Sequence, residues 1–221
     1  MQAKQVMRYV SVLLVSTVAL SCTEEPQTGK EENMDKQEIT SLTTAQKVLV
    51  ETWEEHTKAE FETQSTDETL RTMVAGAHVN HVPVLTGGVG LDEVGKFYST
   101  HFIPQMPPDT KMTPVSRTVG NDQLVDELIF KFTHTIEMDW MLPGIAPTGK
   151  PVEVALVAII GFRDGKVAHE HIYWDQASVL VQLGLLDPNI LPVAGKESAQ
   201  KVFDPTSVPS NRLIKRAHKN K

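Results

Sequence analysis

The chain has 221 residues, 40% of them apolar and 22% charged, a globular composition sufficient for one ordinary domain with tails. A net charge of −7 argues against a nucleic-acid surface, because phosphates need clustered Lys and Arg. The single cysteine excludes an intrachain disulfide.

Lys4 and Arg8 make a short positive start, and residues 10–20 form an apolar stretch shorter than the ~18–20 residues of a bilayer span. Residues 1–21 therefore read as a secretory signal. It closes on Ala19-Leu20-Ser21-Cys22, which resembles a bacterial lipobox with Ala19 where Leu is usual. The resemblance implies lipid on Cys22 as the mature N-terminus. Thr23, in place of Asp, implies an outer-membrane destination, on either side of that membrane. The alternative is an ordinary secretory peptide with a free cysteine near the cut. Residues 22–43 are polar and predict a disordered tether. Residues 205–221 carry Arg212, Lys215, Arg216, Lys219 and Lys221 without an acid, and read as a basic flexible tail.

Residues 44–204 make the domain. Leu49, Trp53, His56 and Glu60, with Val48 beside them, predict an amphipathic helix. Ser65-Thr66-Asp67-Glu68 fits a capping box before a second short helix. Residues 77–85 alternate as a strand, and Thr86-Gly87-Gly88-Val89-Gly90 reads as a turn. Leu91, Val94, Phe97, Tyr98 and Phe102 predict a third helix stopped before Pro104. Strands follow at 115–119, from Leu124 to His134, at 152–162 and at 167–174, the last pair joined by an Asp164-Gly165 hairpin turn. A helix at 177–183 closes on Gly184. Helices first and a curled meander afterwards give an α+β layered fold.

Five motifs occur in order: Phe132-Thr133-His134-Thr135, then residues 144–150 (GIAPTGK), then Phe162-Arg163-Asp164-Gly165-Lys166, then Trp174-Asp175, then Gln182-Leu183-Gly184. The series resembles the SnoaL-like, polyketide-cyclase-like branch of the nuclear transport factor 2-like superfamily. The resemblance implies a cone: a curved antiparallel sheet wrapped by N-terminal helices, a cystatin-like α+β barrel with a pocket in its mouth. It also implies cofactor-independent chemistry of the lyase, isomerase or cyclase kind, or a pocket without turnover, and frequent dimers.

Alternation along the last strand puts His169, His171, Tyr173 and Asp175 on one face and Glu170, Ile172 and Trp174 on the other. The polar row is expected to face the cone, with Asp175 as general acid/base and His171 beside it. Asp175 could equally serve as the N-cap of the following helix. His134, His169, Tyr173, His81, Tyr98, Trp53 and Trp140 are the expected ligand-binding residues. The apolar loop around Trp140 reads either as a lid or as a dimer contact. His169 and His171, with Asp175 or His134, could in principle supply metal ligands. They lack a closed Cys/His spacing, so no metal and no cofactor are expected. The expected partners are a small apolar or aromatic molecule, a membrane reached through the N-terminal lipid, and a second copy of the chain. A non-catalytic ligand-binding or dimeric module is the alternative function.

Overall fold

The computed structural model describes residues 42–210; the signal segment, Cys22, most of the tether and the end of the tail lie outside them. α1 (Thr44–Phe61) opens on a reciprocal cap. Gln46 N donates to Thr43 Oγ1 at 3.2 Å, and Thr43 N donates to Gln46 Oε1 at 3.0 Å. Its inward stripe is Leu49, Trp53, His56, Ala59 and Glu60, while Val48 faces solvent. α2 (Thr66–Arg71) keeps half of its expected box. Glu68 N donates to Ser65 Oγ, but the Glu68 carboxylate accepts from the Thr63 hydroxyl.

β1 (Met73–His81) starts earlier than the alternation suggested. The expected turn at 86–90 is instead β2 (Thr86–Val89), paired antiparallel with β1. The reversal lies just before it, where Leu85 sits at φ 59 and its N–H donates to His81 O at 2.8 Å. Gly87, at φ 136, brings β2 so close to β1 that a Cβ there would run into the Val79 carbonyl. α3 (Leu91–Phe97) passes into a π turn over Tyr98–Phe102 and a 3-10 turn over Ile103–Gln105.

β3 (Lys111–Val119) includes Pro114, which an edge strand tolerates at the register shift between Pro114 and Ser116. β4 (Gln123–Thr133), β5 (Pro151–Arg163) and β6 (Lys166–Trp174) complete the sheet. Asp164 (φ 56) and Gly165 (φ 72) turn β5 into β6. α4 (Gln176–Gln182) ends before Gly184 at φ 72. α5 (Glu197–Phe203), which the sequence pattern did not announce, follows.

The architecture is α+β, with a curved sheet in the order β2-β1-β6-β5-β4-β3. The expectation of a wholly antiparallel sheet is corrected at one pair: β1 runs parallel to β6. α1 packs on β3, β4 and β6, covering the face that carries Leu124, Phe130, Leu156, Ala158 and Ile160. Register with β6 begins only at Leu156, so the first residues of β5 have no strand partner on that side. Gln182 of α4 fills the place. Glu153 N donates to its Oε1 at 2.9 Å, and its Nε2 donates to Glu153 O at 3.0 Å.

Candidate functional site

β6 alternates as expected, but with its faces exchanged. Glu170, Ile172 and Trp174 are buried in the interior; His169 and His171 are half-buried on the outer face, and Tyr173 is 41% exposed. Two causes act together. Ile172 and Trp174 are the larger apolar groups, and burying them governs the orientation. The register shift at Gly161/Phe162 also leaves Ala168 unmatched, so Val167 and Glu170 both point inward. Asp175 is exposed beyond the strand, where its Oδ1 accepts from Ser178 N at 3.1 Å as the N-cap of α4. The expected acid/base pair of Asp175 and His171, with His169 and Tyr173 beside it, therefore does not converge on the interior.

A different set does. His56 and Glu60 lie one turn apart on the inward stripe of α1, and Glu170 projects from β6 to meet them. His56 Nε2 stands 3.1 Å from Glu170 Oε1 and 3.3 Å from Glu60 Oε1. Tyr98, at the start of the π turn, donates its hydroxyl to Glu170 Oε1 at 3.0 Å. Thr72 Oγ1 donates to Thr69 O at 2.6 Å and so accepts from His56 Nδ1, also at 2.6 Å. Trp53 stacks on the His56 ring with centroids 5.3 Å apart. His56, Glu60 and Glu170 are 0%, 4% and 3% exposed.

Burial alone would push the His56 imidazole down, but the charges and hydrogen bonds of Glu170 and Glu60 outweigh it and raise it to about 10. His56 is therefore an imidazolium. Burial raises Glu60 above its ordinary value despite that cation. Burial also opposes ionisation of Glu170, yet His56 and the Tyr98 hydroxyl hold it below the usual carboxylate range. Burial and the Glu170 charge lift the Tyr98 phenol far above its ordinary value. The cluster thus sets an ionised carboxylate beside a cation, a phenol donor and a second carboxyl drawn towards its protonated form.

His81 projects inward from the end of β1, among Phe97, Phe102, Trp140 and Trp174. Burial lowers it to about 4, so it is neutral. Trp140 belongs to a buried loop segment with Met138, Met141 and Leu142, and its carbonyl accepts from Thr86 Oγ1 at 2.6 Å. The loop docks inward against the aromatic interior. His134 lies just past β4 and is fully buried. Thr148 N donates to its Nδ1 at 3.4 Å, which puts the ring proton on Nε2, and that atom is buried without a partner among the described residues. Burial lowers its pKa. Of the expected ligand-binding residues, Trp53 and Tyr98 adjoin the cluster, His81 and Trp140 line the aromatic interior, and His134 stands apart.

Glu170, His56 and Glu60 were not expected as site residues. Their signal was present: His56 and Glu60 interrupt the apolar stripe of α1, and Glu170 shares the parity of Ile172 and Trp174. Buried ionisable groups whose pKa values are strongly perturbed by one another are candidates for a functional site. These three each offer one ligand atom within 4.8 Å of the others, so they also have the donor set of a divalent-cation site. Their mutual hydrogen bonds satisfy them without an ion.

The family model of the SnoaL-like polyketide cyclases matches residues 43–183. Among solved structures, a protein of Jannaschia sp. CCS1 described as SnoaL-like polyketide cyclase is similar at 18% identity and a TM-score of 0.54, over 66% of this chain and 99% of that one. TsrD from Streptomyces laurentii is similar at 19% identity and 0.48, over 66% and 100%. An NTF2-like protein of unknown function from Burkholderia pseudomallei K96243 is similar at 15% and 0.48, over 62% and 97%. At such identities the likeness concerns the fold. No curated protein matches the sequence.

Proposed function

Because this chain belongs to the SnoaL-like polyketide cyclase family, we propose that it binds a small apolar or aromatic molecule and moves protons on it, as a cofactor-independent lyase, isomerase or cyclase. The observation that supports this is the buried His56–Glu60–Glu170–Tyr98 cluster. Glu170 is held ionised by His56 and Tyr98 and is therefore free to take a proton. Glu170 removes a proton next to a substrate carbonyl. Tyr98 and the His56 imidazolium stabilise the developing enolate oxygen, and the proton held by Glu170 returns to the substrate at its new position. A substrate reaches the cluster when the Trp140 loop lifts from the aromatic interior. This reading moves the acid/base centre from Asp175 and His171 to Glu170 and His56.

The test is exchange of α-protons for deuterium in a panel of small cyclic and aryl ketones, followed by NMR. Wild-type protein should accelerate exchange, and Glu170→Gln should lower the rate by roughly two to four powers of ten. Asp175→Asn should leave it unchanged. No acceleration by the wild type, or equal rates in Glu170→Gln, rejects the enzyme. The close aromatic packing around His81 and Trp140 favours the second reading, a ligand-binding or dimeric module without turnover. The same proposal places the chain at the bacterial cell envelope, tethered to the outer membrane by lipid on Cys22, as a homodimer.

A further inference from the structure

Four buried polar atoms meet between α1, β6 and the π turn. His56 Nε2 is 3.1 Å from Glu170 Oε1 and 3.3 Å from Glu60 Oε1. The Tyr98 hydroxyl oxygen is 3.0 Å from Glu170 Oε1 and 3.4 Å from His56 Nε2. The ligand atoms of His56, Glu60 and Glu170 all lie within 4.8 Å of one another. Atoms bound to one tetrahedral zinc at about 2.0–2.2 Å stand about 3.3–3.5 Å apart. Four of the six edges of such a tetrahedron are therefore already within a few tenths of an ångström of its size.

The spacing suits an ion better than a shared proton. A charge-assisted N–H···O⁻ bond closes to about 2.7–2.9 Å, and one hydrogen on Nε2 points well at only one carboxylate. Here both carboxylates stand further back than that. His56 is also oriented as a ligand. Thr72 Oγ1 gives its own hydrogen to Thr69 O and accepts from His56 Nδ1, so Nε2 is the nitrogen turned to the carboxylates. A histidine that binds metal through one nitrogen is held in this way through the other. A positive centre has to lie between Nε2 and the two carboxylates. A divalent ion balances both carboxylate charges and leaves a loaded cluster that is neutral overall, as deep burial favours.

We propose that His56, Glu60 and Glu170, with the Tyr98 oxygen at the fourth corner, bind one divalent transition metal of the zinc kind in place of the proton on His56 Nε2. One imidazole with two carboxylates is a donor set that suits Zn²⁺. The ion engages the lone pairs of His56 and Glu170, so the loaded cluster holds no free base. That consequence rests on the acid/base reading above, of which the metal-loaded chain is the silent form. Binding itself does not depend on that reading.

The full chain, prepared without a polyhistidine tag and stripped with EDTA, is dialysed to equilibrium against ZnCl₂, and the retained zinc is measured. One equivalent should bind in the micromolar range or tighter, and the melting temperature should rise with zinc. Glu60→Gln and Glu170→Gln, each nearly isosteric, should weaken binding at least about tenfold. Thr72→Val, which removes no ligand but releases the His56 ring, should weaken it by roughly 10–100-fold. His171→Gln, on the outer face of the sheet, should bind zinc as the wild type does. No retained zinc at millimolar concentration, unchanged affinity in both glutamate variants, or loss of binding in His171→Gln overturns the proposal. Ketone proton exchange by the wild type in EDTA should stop when zinc is added, and exchange that continues with zinc bound places the ion outside the cluster and overturns it equally. Exchange that is absent even in EDTA rejects the acid/base reading alone, because the zinc measurement decides the site by itself.

Discussion

His56 holds a proton more tightly in the folded chain than in the unfolded one, because two buried carboxylates face it. The stability this contributes is complete below about pH 6.5 and is lost as pH rises towards about 10. Glu60, whose pKa is also raised, likewise loses its contribution as pH rises above its ordinary value of 4.5. His81 acts in the opposite sense. Held near 4 by burial, it refuses a proton that the unfolded chain accepts, so stability falls as pH drops from about 6.5 towards 4. Melting temperature measured across this range should therefore peak near neutrality. His56→Gln should make the alkaline limb shallower, and His81→Phe the acid limb. Identical limbs in wild type and variants would contradict both assignments. His56 and Glu60 were legible in the sequence as members of the α1 stripe, but not as site residues. Glu170 was hidden because a row of two histidines and a tyrosine looks more chemical than one glutamate. The apolar area of Ile172 and Trp174 nevertheless decides which way the strand turns.

At the level of elements, a polar chain through Asp126 helps to clasp α1 to the sheet. Arg117 of β3 donates to Asp126 of β4 through Nε at 2.6 Å and Nη2 at 2.8 Å, and Asp126 Oδ2 also accepts from Trp53 Nε1 at 2.8 Å. Asp126→Asn keeps the shape but halves the acceptors and removes the charge. It should cost about 1–3 kcal/mol, seen as a lower urea midpoint with an unchanged slope. β2 offers a steric counterpart. Gly87→Ala forces both a strained φ and a collision with the Val79 carbonyl, and should cost about 2 kcal/mol or more in the same assay. A neutral result would mean that β2 can separate from β1 without consequence. β2 was unreadable in advance for the same reason. Gly87-Gly88 has the composition of a turn, and only the close approach to β1 reveals why a strand needs glycine there. β4, β5 and β6 were legible almost to the residue, because long apolar alternation and an Asp-Gly turn leave little choice. The bulge at Ala168 carries no such signal, and it exchanged the faces of the proposed site.

For the whole molecule, all of residues 23–43 lies between Cys22 and α1, so anchor and domain should be separable. Cys22→Ala is expected to move the protein from the membrane to the soluble fraction of its host without changing its melting temperature. An intact mass showing an unlipidated cut elsewhere would refute the anchor. A lipid tether would confine many copies to a plane, where encounters between neighbours are frequent and orientation is shared. Under such crowding an unfinished strand edge acts as a growth point, because each added chain exposes a fresh edge for the next. The Gln182 amide on Glu153 has the role that polymer chemistry gives to a chain stopper. It occupies one donor and one acceptor on the open side of β5, so that a neighbour's strand finds no free pair to add to at this notch between β5 and β6.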